Sequence, residues 1–241
     1  MTTSSEKQTR ITPEMKKSIL IRQRQVFIGT TLFGIFLFLG AGRLDWTMGW
    51  VYMGLNYLGL IINVIVLVST NPELVAERAT ITREGTTKFD RIFAALYGPW
   101  LFVVMAVIGM DAVRYGWSTV PTWVQYVSIA VFIFGWCFTL WAMVSNKHFE
   151  TTVRIQSDRG HKTITSGPYG IVRHPGYVGI ILVYAITPTI LGSWWGLIPA
   201  GLLCIGFIIR TAKEDQTLLK ELPDYPAYAE KVRYRLLPGV W

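Results

Sequence analysis

The run Arg173-His174-Pro175-Gly176-Tyr177-Val178-Gly179 closes a stretch that opens with Gly167-Pro168-Tyr169-Gly170, between a polar basic segment and an apolar one. Proline fixes φ near the helical value and loses nothing at a first helical position, where its missing N–H would have no partner anyway. The sequence therefore predicts a helix starting at Pro175, with His174 the last residue outside it. A helix start presents free backbone N–H groups and the positive end of the dipole, which suits a carboxylate or a phosphate. The alternative is a plain loop that lays Arg173 and His174 among lipid headgroups. Downstream, Arg210 and Glu214 end another apolar run and stand four apart, so on a continuous helix they face the same way. They are either a surface ion pair with a snorkelling arginine or two charges turned into a polar pocket at a membrane edge. The segment 146–176, with Arg154, Gln156, Ser157, Asp158, Arg159, His161, Lys162 and Thr163, is longer than a connector requires. Loops of that length carry function out of proportion to their size, so something is expected to bind there.

The elements that must hold these residues are membrane helices. Of 241 residues, 51% are hydrophobic and only 16% charged, and the apolar ones come in blocks. Runs at about 25–42, 48–69, 92–113, 122–145, 177–192 and 194–210 predict six spans, the middle ones reaching the roughly 20 residues a hydrocarbon core demands. Gly192-Ser193 reads as the tip of a tight hairpin between the last two. With the N-terminus in the cytoplasm, the cytoplasmic pieces 1–24, 70–91, 146–176 and 210–241 carry 6, 4, 5 and 6 Lys/Arg, 21 of the 23 in the chain. Only Arg43 and Arg114 fall on the other side, which is the asymmetry of a six-span protein with both termini inside. The formal charge of +8 therefore faces anionic lipid headgroups and does not point to nucleic acid. Cys137 and Cys204 lie inside apolar runs, without CxxC or Cys/His clusters, so neither a disulfide framework nor a metal site is expected. The polar stretch 1–24 lacks the short apolar core of a signal peptide. The chain divides into 1–145, a four-span bundle, and 146–241, a binding region with the hairpin and tail.

Smaller expectations follow along the chain. A helix is predicted from Pro13 with Thr12 as its cap, its Lys16, Lys17, Arg22 and Arg24 lying along the bilayer surface. Asn56 and Asn63 share a face and are expected to bond a neighbouring helix, with Gly34, Gly40, Gly54 and Gly59 permitting close approach. Asn71-Pro72 opens a short helix, and the charges around Lys88-Phe89-Asp90-Arg91 read as a solvated face. The loop Asp111–Pro121, with Tyr115 and Trp117, reads as an aromatic belt without chemistry. The tail after Pro223 reads as an amphipathic segment that lies on the bilayer or covers a site.

Taken in order, Asn146…Phe149, Ser157-Asp158…His161, Thr165-Ser166-Gly167-Pro168-Tyr169, Arg173-His174-Pro175-Gly176-Tyr177-Val178-Gly179, Arg210…Glu214-Asp215…Leu218-Leu219 and Tyr225…Tyr228…Val232 resemble the isoprenylcysteine carboxyl methyltransferase family and its phospholipid-methyltransferase-like bacterial relatives. The likeness covers roughly 146–238. It implies an all-α, polytopic membrane enzyme that moves a methyl group from S-adenosylmethionine to a lipophilic acceptor, in the bacterial inner (plasma) membrane, without a metal. No Gly-rich strand-to-helix turn is present, so the doubly wound methyltransferase domain is not expected. The resemblance puts cofactor contacts on His161, Lys162, Thr163, Ile164, Tyr169, His174, Pro175, Gly176, Tyr177 and Glu214, and a substrate contact on Arg210. Arg210 and Glu214 are then the catalytic pair, and either Arg154 or Gln156 meets the adenosine end.

In that setting the helix start and His174 suit the cofactor carboxylate, Glu214 its ammonium, and Tyr169 and Tyr177 its adenine or sulfonium. A carboxylate acceptor needs no base, and Arg210 would orient it through a two-donor fork. A phospholipid amine would first have to lose a proton. The competing functions are a phospholipid amine N-methyltransferase, a sterol-reductase-type enzyme using a nicotinamide, and a non-catalytic transporter or scaffold. A transporter would carry charges near mid-membrane in two related halves, whereas these crowd one face.

Overall fold

A computed structural model describes residues 11–80, 88–149 and 162–241. Those residues form eight α-helices and no strand: α1 (Pro13–Ala41), α2 (Thr47–Thr70), α3 (Pro72–Glu77), α4 (Lys88–Gly109, widening into a π-helical turn Met110–Tyr115), α5 (Thr122–Ser145), α6 (Pro175–Ile190), α7 (Leu197–Glu221) and α8 (Tyr225–Lys231). Four of them, α1, α2, α4 with its π turn, and α5, are long and apolar enough to cross a membrane. An exposed helix of that composition satisfies its backbone internally and needs no water, which is why lipid tolerates it. The next helix, α6, is apolar but shorter than these four. α7 is apolar only in its first half and carries charges after Ile209.

Local signals set most boundaries. The Thr12 hydroxyl accepts from the Met15 amide at 3.2 Å, with Pro13 at the first helical position. From there α1 runs unbroken to Ala41, so its basic first turns belong to the span helix itself and do not form a separate surface segment. It ends at Gly42, left-handed at φ 73°, beside Arg114, whose guanidinium donates to the Leu39 carbonyl at 2.6 Å. The Asn71 side chain caps α3, accepting from the Leu74 amide at 3.3 Å. That helix stops at Glu77, short of Gly85, which lies outside the described residues. α6 begins at Pro175 after His174, as the sequence predicts. Gly192, at φ 83°, turns the chain between α6 and α7.

Two close approaches hold the bundle. A Cβ on Gly40 would stand 2.4 Å from the Ala106 carbonyl and one on Gly109 2.2 Å from that of Leu37, so α1 and α4 meet backbone to backbone. A Cβ on Gly179 would likewise stand 2.3 Å from the Gly135 carbonyl, joining α5 to α6. Small residues at such crossings let helices gain contact area without an aqueous driving force. Gly34 and Gly59 accommodate Met53 and Trp136, but nothing approaches Gly54. Asn63 reaches the Met143 sulfur on α5, whereas Asn56, among the described residues, bonds its own helix through the Tyr52 carbonyl. The antiparallel α5–α6 pair brings the end of α5 beside Tyr169 and the start of α6, and these form one wall of the site.

Candidate active site

Asp215 on α7 is the centre of the basic end of the bundle. Its carboxylate is fully buried and accepts from Arg173 Nε (2.8 Å) and Nη2 (3.1 Å), Arg235 Nε (2.7 Å), the Tyr225 hydroxyl (2.9 Å) and His174 Nε2 (3.2 Å). Burial opposes ionisation of Asp215, but the hydrogen bonds from His174, Arg173 and Arg235 outweigh it and hold the carboxyl well below the usual carboxylate range. Burial and the neighbouring Asp215 charge push the Tyr225 phenol up, so it stays protonated as a donor. Arg173 Nη1 also donates to the carbonyls of Val232 (3.0 Å) and Arg233 (2.9 Å), and the amides of Arg173 and His174 donate to those of Tyr234 (2.9 Å) and Arg235 (3.0 Å). The C-terminal tail is thereby laid over the loop before α6. Of the two sequence readings for Arg173 and His174, headgroup contact fails: both are buried.

His174 then has a defined orientation. With Nε2 directed at Asp215 and the Tyr225 hydroxyl already donating to the same oxygen, Nε2 carries a proton. The other nitrogen, Nδ1, lies 4.0 Å from Glu214 Oε1. Glu214 Oε2 accepts from the Tyr177 hydroxyl at 2.5 Å, while Oε1 accepts no hydrogen bond among the described residues. The half-exposed Glu214 carboxylate is therefore held at one oxygen and open at the other. Tyr169 is buried beside it, accepting from Asn146 Nδ2 at 3.0 Å, and its carbonyl accepts from the Tyr228 hydroxyl at 2.7 Å. Gly176 is filled from outside: a Cβ there would stand 2.3 Å from the Phe149 ring, which itself lies under Arg78.

The remaining expected residues fall as follows. The Thr163 amide donates to Asp224 at 3.0 Å, and its buried hydroxyl has no partner among the described residues. Ile164 is half-buried beside it and Lys162 is exposed. His161, Arg154 and Gln156 lie outside the described residues. Arg210 does not pair with Glu214. Its Nε and Nη2 form a two-point contact with Asp90 on α4 (2.8 and 3.1 Å), and its guanidinium lies between the rings of Phe93 (5.1 Å) and Tyr177 (5.6 Å). Asp90 is accordingly buried and not on a solvated face. Glu214, His174, Tyr177, Tyr169 and Arg210 thus share one neighbourhood. Sequence reasoning put Arg173 in its opening motif and Asp215 and Tyr225 among the residues of the resemblance, read Asp90 as solvated and passed over Arg235, but gave none of them a partner. The one available signal was the presence of charges beside apolar runs, which marks them as paired without naming the partner.

The donor set fits the zwitterionic end of an amino-acid-like cofactor. Arg173, Arg235 and Asp215 leave one positive charge in surplus at the start of α6, with Glu214 next to it. Opposite charges a few ångströms apart are what a carboxylate and an ammonium on one carbon require.

Residues 128–220 match the model of the isoprenylcysteine carboxyl methyltransferase (ICMT) family. Two curated rice proteins, from Oryza sativa subsp. indica and subsp. japonica, are each named "Probable protein-S-isoprenylcysteine O-methyltransferase". Each is 29% identical to this chain over 112 residues, which cover 45% of this chain and 59% of the relative. The chain therefore spans well under two thirds of the curated relatives it matches. The family match covers most of α5, all of α6 and nearly all of α7, and so includes Tyr169, His174, Tyr177, Arg210, Glu214 and Asp215.

Proposed function

We propose that this chain is an integral membrane methyltransferase that uses S-adenosylmethionine to esterify the carboxylate of an isoprenylcysteine-type acceptor. The observation that carries the reading is the pair His174–Glu214 with Tyr177, held by the Asp215 cluster inside the region that resembles the methyltransferase family. In this reading α1, α2, α4, α5, α6 and the first half of α7 are the six spans. The basic end, with both termini, is cytoplasmic.

When bound, S-adenosylmethionine supplies an electrophilic methyl group on a sulfonium. Glu214 Oε1 takes its ammonium, since that oxygen is open and Oε2 is fixed by Tyr177. The surplus charge at Arg173–Arg235 and the start of α6 takes its carboxylate. His174 is held by Asp215 through Nε2, which leaves Nδ1 an acceptor 4.0 Å from Glu214 Oε1 and facing the same ammonium. Lys162, Thr163, Ile164, Tyr169, Pro175 and Gly176 belong to the same cofactor site, to which the resemblance adds His161. Burying a sulfonium against the Tyr177 and Tyr169 rings contributes about 0.5–2 kcal/mol. Arg210, with Asp90 holding its fork, keeps a fixed positive charge over Tyr177 where the acceptor must approach. The acceptor arrives already ionised, so no general base is required, and positioning and exclusion of water do the work.

Isothermal titration of the detergent-purified protein with S-adenosylhomocysteine should show one binding site, and NADPH should show none. Membranes incubated with methyl-labelled donor and an N-acyl S-prenylcysteine should yield label that mild alkali releases as methanol. Alkali-stable label would indicate N- or S-methylation, and NADPH binding alone would point to a reductase.

A further inference from the structure

At the basic end of the bundle α1 and α2 leave a slot between them, and they are tied together on both sides of it. Toward the middle of the spans the Thr31 and Tyr57 hydroxyls share a hydrogen bond at 2.9 Å, and the Phe27 and Tyr57 rings meet at 5.6 Å. Toward the basic end the buried Ile19 packs with Leu67 of α2 and Leu74 of α3. Between these ties lies an open cleft of about 460 Å³, where Leu20, Phe27 and Ile28 of α1 face Ile61 and Ile65 of α2. All five of these side chains are exposed. Because both sides are tied, the cleft is a preformed shape that the two helices cannot close by rolling together.

The polar residues that line the cleft are Gln23 and Arg24, and among the described residues no carboxylate does. Lys16 and Lys17 precede Leu20 by four and three positions and Arg24 follows it by four, so the three cations share the stripe of α1 that faces the cleft. All three are exposed. With 29 residues, α1 is about 44 Å long, against about 30 Å of hydrocarbon. The exposed Arg43–Asp45 pair just past its far end marks one interface. About nine residues at the Pro13 end then stand among the headgroups, Lys16 and Lys17 with them. Arg24 lies within one turn below, and since Cβ atoms tilt toward a helix N-terminus its guanidinium is carried back toward the headgroups.

We infer that this slot binds one anionic phospholipid, with its phosphate at Arg24 and Lys17 and an acyl chain laid along Phe27, Ile28 and Ile61. Three cations on one stripe without a carboxylate suit a headgroup of net negative charge and leave the ammonium of a zwitterionic one unmatched. The apolar walls suit a hydrocarbon chain. An isoprenylcysteine-type acceptor fits less well, because it must carry its carboxylate to the methyl donor and no residue of the cleft belongs to the methyl-transfer site. A lipid seated here acts as a wedge that props α1 against α2. The inference goes beyond the methyl-transfer reading and does not rest on it.

The test is native mass spectrometry of the full chain exchanged into equimolar dioleoylphosphatidylglycerol and dioleoylphosphatidylcholine. Wild type should retain one phosphatidylglycerol in preference to phosphatidylcholine. A basic residue near the membrane surface changes binding about fivefold. Arg24→Gln should therefore cut the preference about fivefold, and the triple change Lys16→Gln, Lys17→Gln, Arg24→Gln about 100-fold. Arg24→Lys, which keeps the charge, should keep most of the preference, so a loss confined to Arg24→Gln reports charge and not misfolding. Ile61→Trp, which fills the slot and leaves every cation in place, should abolish the retained lipid. In nanodiscs, phosphatidylglycerol should raise the thermal midpoint of wild type more than that of Arg24→Gln or Ile61→Trp. Equal retention of the two lipids by wild type, or an unchanged preference in Arg24→Gln, would overturn the inference. An unchanged preference in Ile61→Trp would also overturn it, and would reduce the cations to general headgroup contact. Displacement of the retained lipid by an N-acyl S-prenylcysteine would overturn it in favour of the acceptor, and an Ile61→Cys disulfide between two copies in the membrane would do so in favour of a dimer.

Discussion

Asp111 and Asp215 are both fully enclosed carboxyls at the ends of the bundle, yet their partners are of different kinds. Asp111, in the π turn after α4, receives neutral donors on one oxygen: the hydroxyls of Ser118 and Ser193, each at 2.6 Å, and the Trp195 amide at 3.2 Å. Those contacts tie the turn to the α6–α7 hairpin. Asp215, at the other end, receives two guanidiniums, an imidazole and a phenol. Neutral donors fix backbone geometry but bring no positive charge that a ligand could use, and the buried Asp111 Oδ1 accepts from nothing among the described residues. A carboxylate with two arginines fixes geometry and also leaves a positive surplus next to Glu214, which a zwitterionic ligand can use. Two buried aspartates thus divide into a structural anchor and a charged support for a site.

That contrast can be broken most directly at Asp215. Asp215→Asn leaves Arg173 and Arg235 without their counter-charge, and losing one partner of a buried pair costs about 3–5 kcal/mol. A large fall in the thermal midpoint in detergent, with loss of S-adenosylhomocysteine binding, is expected; an unchanged midpoint would sink the assignment. The same contribution should respond to acid. The folded carboxyl of Asp215 is held below its unfolded value of about 3.9, so its stabilisation is complete above about pH 5 and is lost as pH falls through 4 and below. Wild-type midpoints measured from pH 7 to 4 should fall more steeply at the acid end than those of Asp215→Asn. Next comes Glu214→Gln, which should weaken S-adenosylhomocysteine binding about 10–100-fold, as expected for losing a charge-assisted contact. Its unfolding midpoint should stay within a degree or two, since Arg210 keeps Asp90 as the partner of its fork and the amide still accepts from Tyr177. The smallest effect is expected from Asp111→Asn. The amide still accepts from the serines, so about 1–2 kcal/mol of stability is lost while ligand binding is untouched. Impaired binding in Asp111→Asn would erase the distinction between the two ends.

Much of this was legible from residues alone. The apolar runs correspond to α1, α2, α4 and α5, and the fourth run coincides with α5 at Thr122–Ser145. Pro175 starts its helix, Gly192 turns the hairpin, and the tail packs on the loop before α6. Asp90 was misread as solvated because mixed charge at the foot of a span usually is. Asp111 was read as part of an inert belt because a single carboxyl among aromatics carries no periodic signal. Arg22 was read as a bilayer-surface cation because it shares one basic stretch with Lys16, Lys17 and Arg24; those three are exposed, whereas Arg22 is half-buried.

The sequence by itself determined which segments are helices of membrane length and where several of them begin. That follows because a helix in hydrocarbon must satisfy its own backbone, and because proline and capping side chains act within a few residues. Only the tertiary structure decided which charge meets which. Arg210 finds Asp90 across 120 positions, Arg173 finds Asp215 across 42, and Arg235 finds it across 20. Electrostatic pairing depends on distance in space, and nothing in linear spacing encodes it once the partners lie on different helices.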